Sequence, residues 1–178
     1  MATVDSYLAS AYGEPNTSIQ RDLHLNFKKV LEDSPLEDQE RYLNLLAIAT
    51  ALHDKAMMEF ATGVLKEQGL SDEMILEARE SAAMMGMLNT YYKFKGYLDP
   101  AVLENYARAG LRMQALMKPV NGKARWEQMA FSVSVINGCP TCVSSHEKAL
   151  TQIGVSADKI HDLARMASIS KGLSMLKP

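Results

Sequence analysis

Cysteine is scarce in this chain of 178 residues: there are only two, and both sit in one Cys-x-x-Cys, Cys139-Pro140-Thr141-Cys142. No uninterrupted apolar run approaches the length of a bilayer span, so no membrane helix is expected. The opening Met1-Ala2-Thr3-Val4-Asp5-Ser6 lacks the basic and apolar regions of a secretory leader, and a cytoplasmic protein is the expectation. A formal net charge of only −2 gives no electrostatic reason to expect nucleic acid or an anionic membrane as a partner. Sustained strand alternation and Gly-rich hairpin signals are missing as well. In a reducing compartment, a close cysteine pair is more often catalytic or metal-binding than a structural staple. What the chain does have is apolar material: 47% of residues are hydrophobic, enough for one domain or for two small halves sharing a core.

That material recurs at helical spacing. After a short helix or arm ending near Gly13, Pro15 and Asn16, Ser18 is the expected cap of a helix over 19–31, where Leu23, Phe27, Val30 and Leu31 form one face. Further helices are expected over 37–52, 56–68, 72–92, 101–117, 123–136, 139–153 and 156–173. Gly69 closes one of them, and Ser71 caps the next with Asp72 and Glu73 placed for the dipole. The run 131–136 is rich in β-branched residues and resembles a strand in isolation. It is assigned to a helix because an internal comparison sets it opposite a clear helix.

That comparison slides the chain by 85 residues (154 − 69), which lays Gly69 on Gly154, Ser71 on Ser156, Leu65 on Leu150, Ile75 on Ile160 and Ala82 on Ala167. The expectation is an all-α single domain built from two similar helical repeats. Its parts are an N-terminal helical arm (1–35), a first repeat (36–96), a connecting helix (97–119) and a second repeat (120–178). The first repeat carries Tyr42, Asp54, Met57 and Ala61 where the second carries Glu127, Cys139, Cys142 and His146. Chemistry is therefore expected in the second copy alone.

Asn137-Gly138 breaks the chain before the Cys-x-x-Cys, and Pro140 suits the first turn of a new helix. Cys139 then falls at the N-cap and Cys142 in the first turn, where unpaired N–H groups and the helix dipole favour a thiolate. His146 stands one turn after Cys142, on the same face. The pattern is that of a redox dithiol with a base attached. Cys142 is assigned as the attacking thiol on the strength of His146, with Cys139 resolving the sulfenic acid to a disulfide. In a thioredoxin site the first cysteine attacks, so spacing alone leaves the order open. Glu127, twelve residues before Cys139, would satisfy its carboxylate on His146 and orient the imidazole as a base. The plain alternative is a surface glutamate placed by the dipole near the start of its helix.

Glu127, eleven residues, Cys139-x-x-Cys142, three residues, His146 resembles the motif of the AhpD family of alkylhydroperoxidases, within the wider carboxymuconolactone decarboxylase-like fold. Chain length, the all-helical pattern and the empty first copy also resemble that family. The resemblance implies a peroxidase acting on organic hydroperoxides, in which Glu127 and His146 relay a proton from Cys142 and Cys139 resolves the sulfenate. It implies no bound cofactor and re-reduction by dihydrolipoamide on a lipoyl-bearing acyltransferase. Electron transfer to an AhpC-type peroxiredoxin, and assembly as a trimer or dimer of trimers, are implied too. One departure stands out: relatives often carry a histidine directly before the second cysteine, where this chain has Thr141.

Rival readings bear on the same residues. Cys139, Cys142, His146 and Glu127 are acceptable zinc ligands, but structural zinc sites usually pair two ligand knuckles and no second cysteine pair exists here. A thioredoxin-like fold needs a strand before the motif. A dithiol adapter that passes electrons between proteins is the main functional alternative, while a decarboxylase or isomerase on this fold would leave the cysteines idle. His24 reads as a surface or interface residue, His53 as a capping residue at a helix junction, and His161 as partnerless. The twelve methionines read as adaptable core and interface packing. Glu32-Asp33 through Glu37-Asp38-Glu40-Arg41 reads as a solvated junction.

Overall fold

Hydroxyl and carboxylate side chains decide where most of the helices begin. The protein is described by a computed structural model over residues 3–176; Met1 and Ala2, part of the stretch read for a leader, lie outside the described residues, as do 177 and 178. Its α-helices are α1 (Val4–Tyr12), α2 (Ser18–Glu32), α3 (Asp38–Ala51), α4 (Lys55–Glu67), α5 (Asp72–Gly96), α6 (Gly122–Asn137), α7 (Pro140–Gln152) and α8 (Ala157–Ser174). No strand occurs among the described residues, and none of their helices is long and apolar enough to cross a membrane. Ser71 and Ser156 accept from Met74 N and Lys159 N, as expected of N-caps. At α2 the cap is Thr17 rather than Ser18: its hydroxyl accepts from Gln20 N while Gln20 Oε1 accepts from Thr17 N, a reciprocal box that places Ser18 inside the helix.

Helices α3 and α6 form the centre. They pack on each other, with α4, α5 and α8 around α3 and with α5, α7 and α8 around α6. Leu43, Leu45, Leu46, Ala47 and Ile48 of α3 are fully buried, as are Met129, Ala130 and Val133 of α6. A helix enclosed on all sides must carry apolar residues all round or pair its polar ones. Both devices operate here. Asn44 Nδ2 donates to Glu40 O and, at 3.3 Å, to Gln128 Oε1, while Asn44 Oδ1 accepts from Ser132 Oγ at 2.9 Å. Gln128 Nε2 donates to Glu40 Oε1 at 2.8 Å, and Lys159 Nζ reaches Glu40 Oε2 at 2.7 Å.

Glu32, Asp33, Glu37 and Asp38 are exposed, as expected of a solvated junction, but that network corrects the reading for Glu40. Glu40 is buried; burial pushes its carboxyl pKa up, but Lys159, Gln128 and the Glu37 N–H outweigh this and hold it below the usual range. Arg41 donates to the Leu31 carbonyl and pairs with Asp38. His24 is likewise buried rather than on the surface, because α1 packs on α2 and brings Tyr12 edge-on to the imidazole at 5.9 Å. At the α3–α4 junction the cap is Asp54, whose Oδ1 accepts from Met57 N at 3.0 Å; His53 is exposed and takes φ 57° in the turn.

The connecting helix expected over 97–119 is not formed. Pro100–Tyr106 and Gln114–Met117 are short 3₁₀ turns separated by irregular chain. The apolar residues there recur at helical spacing, yet no described side chain between 97 and 119 is buried. A helix without a face to bury lacks its main source of stability, so the local preferences of Asp99-Pro100 and Gly110 prevail. The segment is tied at its far end by buried Glu77 of α5, which accepts from Val120 N, Asn121 N and Asn121 Nδ2 at 2.6–2.8 Å. In turn, α5 runs one turn beyond the expected end, to Gly96.

Candidate active site

The site grows out of the turn between α6 and α7. Gly138 ends α6 in the left-handed region (φ 62°, ψ 48°), a conformation that costs a side-chain-bearing residue extra energy. Cys139 follows as the N-cap of α7, its carbonyl accepting from Val143 N at 2.9 Å, and Pro140 occupies the first turn. Cys139 and Cys142 are joined by a disulfide with Cα atoms 5.3 Å apart. Their surroundings differ. Both are buried, but Cys142, Thr141, Ser145 and His146 line a cavity of about 310 Å³ in which Cys139 has no share. Its opposite wall is largely apolar: Met85, Leu88 and Tyr92 of α5, with Met113 and Leu116 of the irregular linker.

Glu127 is buried on α6, and its Oε2 lies 2.7 Å from His146 Nδ1. An ionised carboxylate only accepts, so Nδ1 carries the proton in this contact and Nε2 is the ring nitrogen that Glu127 does not engage. The other carboxylate oxygen, Oε1, takes Lys123 Nζ at 2.5 Å. Burial pushes the Glu127 pKa up, but the hydrogen bonds from His146 and Lys123 outweigh it and hold the carboxyl below its usual range. The surface-glutamate reading is thereby overturned. Glu127, Cys139, Cys142 and His146 are all brought to one corner of the molecule, where an imidazole sits one turn from a cysteine that lines a cavity with a largely apolar opposite wall. Among the described residues, no three His, Cys, Asp or Glu side chains are arranged to hold a metal.

This chain resembles known proteins along most of its length. A model of the carboxymuconolactone decarboxylase family matches residues 111–174, the stretch that contains the whole of α6 and α7. Curated relatives from several bacteria bear the name alkyl hydroperoxide reductase AhpD. That of Anaeromyxobacter dehalogenans is 35% identical over 95% of this chain and 87% of its own length. That of Mycolicibacterium paratuberculosis is 35% identical over 86% and 85%, and that of Rhizorhabdus wittichii 38% identical over 85% and 86%. The chain belongs to the AhpD family.

Within this AhpD chain, several groups around the cysteines escaped the sequence reading. Lys123 precedes Glu127 by four residues and was legible as a helical ion pair. Asn89 and Lys93 of α5 were not, since nothing local ties α5 to the α6–α7 turn. Asn137 Nδ2 donates to Asn89 Oδ1 at 2.9 Å, Asn89 Nδ2 donates to Ser134 Oγ at 3.0 Å, and Lys93 Nζ reaches the Asn137 carbonyl at 3.2 Å. Lys171 of α8 approaches the Ile136 carbonyl at 3.5 Å. Two ammonium groups thus meet the negative end of the α6 dipole, at the turn that presents Cys139. Thr141 is exposed at the cavity rim. His24, His53 and His161 all lie outside this corner: His24 lines a separate recess between α1 and α2, and His161 lies on α8.

Proposed function

We propose that this protein is a thiol-dependent alkyl hydroperoxide reductase. The observation that carries the reading is the joined pair at the head of α7, with Cys142 lining a cavity whose opposite wall is largely apolar and Cys139 having no share in it. In the reduced enzyme the Cys142 thiol gives its proton to His146 Nε2, and the resulting imidazolium is stabilised through Nδ1–H by ionised Glu127. The thiolate attacks the terminal peroxide oxygen; an S–O bond forms, the O–O bond breaks, and the departing alkoxide takes the proton from His146 and leaves as an alcohol. Cys142 is now a sulfenic acid. The Cys139 thiolate attacks its sulfur, hydroxide leaves and is protonated to water, and the disulfide closes. One hydroperoxide and two thiols thus yield alcohol, water and one disulfide.

The return to dithiol is assigned to dihydrolipoamide on a lipoyl-bearing acyltransferase, whose own thiols become the lipoamide disulfide. Electrons can also pass on to an AhpC-type peroxiredoxin, and a cytoplasmic homotrimer or dimer of trimers is the form we assign. The names of the relatives support the peroxide chemistry; the largely apolar wall opposite Cys142 supports an organic rather than a small inorganic peroxide. The test is turnover of an alkyl hydroperoxide by the purified protein with dihydrolipoamide as the sole reductant. Steady consumption that stops in Cys142→Ser is expected. Slow oxidation by peroxide with fast exchange between the dithiol and lipoamide would instead make the protein a dithiol adapter.

A further inference from the structure

Lys123 is a charged group that the relay above leaves unused, although it touches the relay's own carboxylate. Its side chain is 59% exposed, yet its ammonium holds Oε1 of a carboxylate whose side chain is only 7% exposed, at 2.5 Å. The same carboxylate gives its other oxygen to His146 at 2.7 Å. We propose that Lys123 is a positioning residue of the site: it shares the Glu127 carboxylate with His146, fixes which oxygen faces the imidazole, and so governs how readily that imidazole takes a proton.

The physical reason is competition for one anion. An ammonium on Oε1 draws electron density from the carboxylate and places a positive charge near the imidazole, so protonation of His146 gains less than it would from Glu127 alone. In return, the ammonium keeps a buried carboxylate ionised, and Glu127 stays an acceptor rather than taking the proton itself. Because Lys123 is mostly exposed, its side of the pair is screened by salt while the buried side is not. Other titratable and charged groups on α7 and on the elements packed around the site line the cavity or have partners of their own. Cys142 stands one turn before it on α7, and Tyr92 lines the cavity from α5. Lys93 of α5 and Lys171 of α8 are held at backbone carbonyls, and Arg125 of α6 donates to Gln39 of α3.

The inference rests on the proton-relay reading of Glu127 and His146, but its test needs no peroxide. His146 is titrated by NMR in the oxidised, disulfide-bonded protein at low and at high salt. Lys123→Met is expected to raise the His146 pKa by about one unit, a tenfold gain in proton affinity, and Lys123→Arg to restore the original value. Added salt should raise the wild-type value in the same direction and leave Lys123→Met unmoved. An unchanged His146 in Lys123→Met would overturn the proposal. So would an equal shift in a Glu127→Gln background, since Lys123 would then be acting without the carboxylate. Loss of peroxidase activity, or its absence altogether, leaves these titrations readable, so failure of the enzymatic reading is told apart from failure of this one.

Discussion

Helices α4 and α7 start 85 residues apart (140 − 55), each is 13 residues long, and each follows an N-cap that the same offset relates, Asp54 and Cys139. The helices after them are capped by Ser71 and Ser156 with the same backbone angles, φ −67° and ψ 152°. The two halves differ at the surface each first helix presents. Met57 and Ala61, the counterparts of Cys142 and His146, are fully buried. Phe60, the counterpart of Ser145, is stacked by Tyr7 of α1 at 4.5 Å, whereas Ser145 lines the open cavity. In the first half an arm of the chain fills the space; in the second an irregular linker leaves it open. The ionisable groups diverge accordingly. Burial pushes the phenols of Tyr7 and Tyr42 upward and that of Tyr12 to about 12, so this cluster stays neutral, while Glu127 is held ionised. The comparison teaches that one helix-turn-helix frame serves packing or chemistry according to what covers it.

Substitutions at paired positions sharpen that contrast. The largest effect is expected from Cys142→Ser, which abolishes hydroperoxide turnover. Next come Glu127→Gln and His146→Ala, expected to slow Cys142 oxidation by roughly 10²–10⁴-fold, the range for losing a general base. Thiol alkylation followed against pH checks them, and both variants should move the thiolate's apparent pKa upward. At the matching first-half position, Met57→Ala should cost about 2–5 kcal/mol of stability as a core truncation while leaving turnover per folded molecule unchanged. Denaturant unfolding paired with the peroxide assay separates the two quantities. A loss of turnover larger than the loss of folded protein would break the division between the halves.

Smaller effects follow from the caps and the central network. Asp54→Ala removes the α4 cap and should cost about 0.5–2 kcal/mol, again without changing turnover. Acid should then reveal Glu40. Its folded pKa is depressed, so its contribution is present above the unfolded value and is lost as pH falls through the folded one. Unfolding midpoints measured from neutral pH down through about pH 4.3, the ordinary glutamate value, should fall in the wild type. They should fall less in Glu40→Gln, which has no proton to take up at that position.

Much of this architecture could be read in the sequence where the determinant was local. Ser71 and Ser156 marked the starts of α5 and α8, the Asn137-Gly138 break and Pro140 marked the start of α7, and the four-residue step placed His146 one turn from Cys142. Glu127 on His146 was expected from the need of an inward-facing carboxylate for a partner, and the 2.7 Å contact is present. Where the determinant was tertiary, the sequence misled. Residues 97–119 have helical spacing, but none of their described side chains is buried. His24 was read as a surface or interface residue because its spacing does not show α1 folding back onto α2, and Glu40 looked solvated because Gln128 and Lys159 lie 88 and 119 residues away. The cavity escaped for the same reason, since its walls come from α5, the linker and α7 together.

The most direct test of the account is to locate the sulfenic acid. Reduced Cys139→Ser is treated with one equivalent of an alkyl hydroperoxide in the presence of a sulfenate-trapping dione and mapped by mass spectrometry, beside Cys142→Ser treated alike. The account predicts rapid modification at Cys142 in the first variant and none at Cys139 in the second. Modification of Cys139 in Cys142→Ser, with Cys142 unmarked in Cys139→Ser, would reverse the assigned roles and contradict a mechanism built on His146.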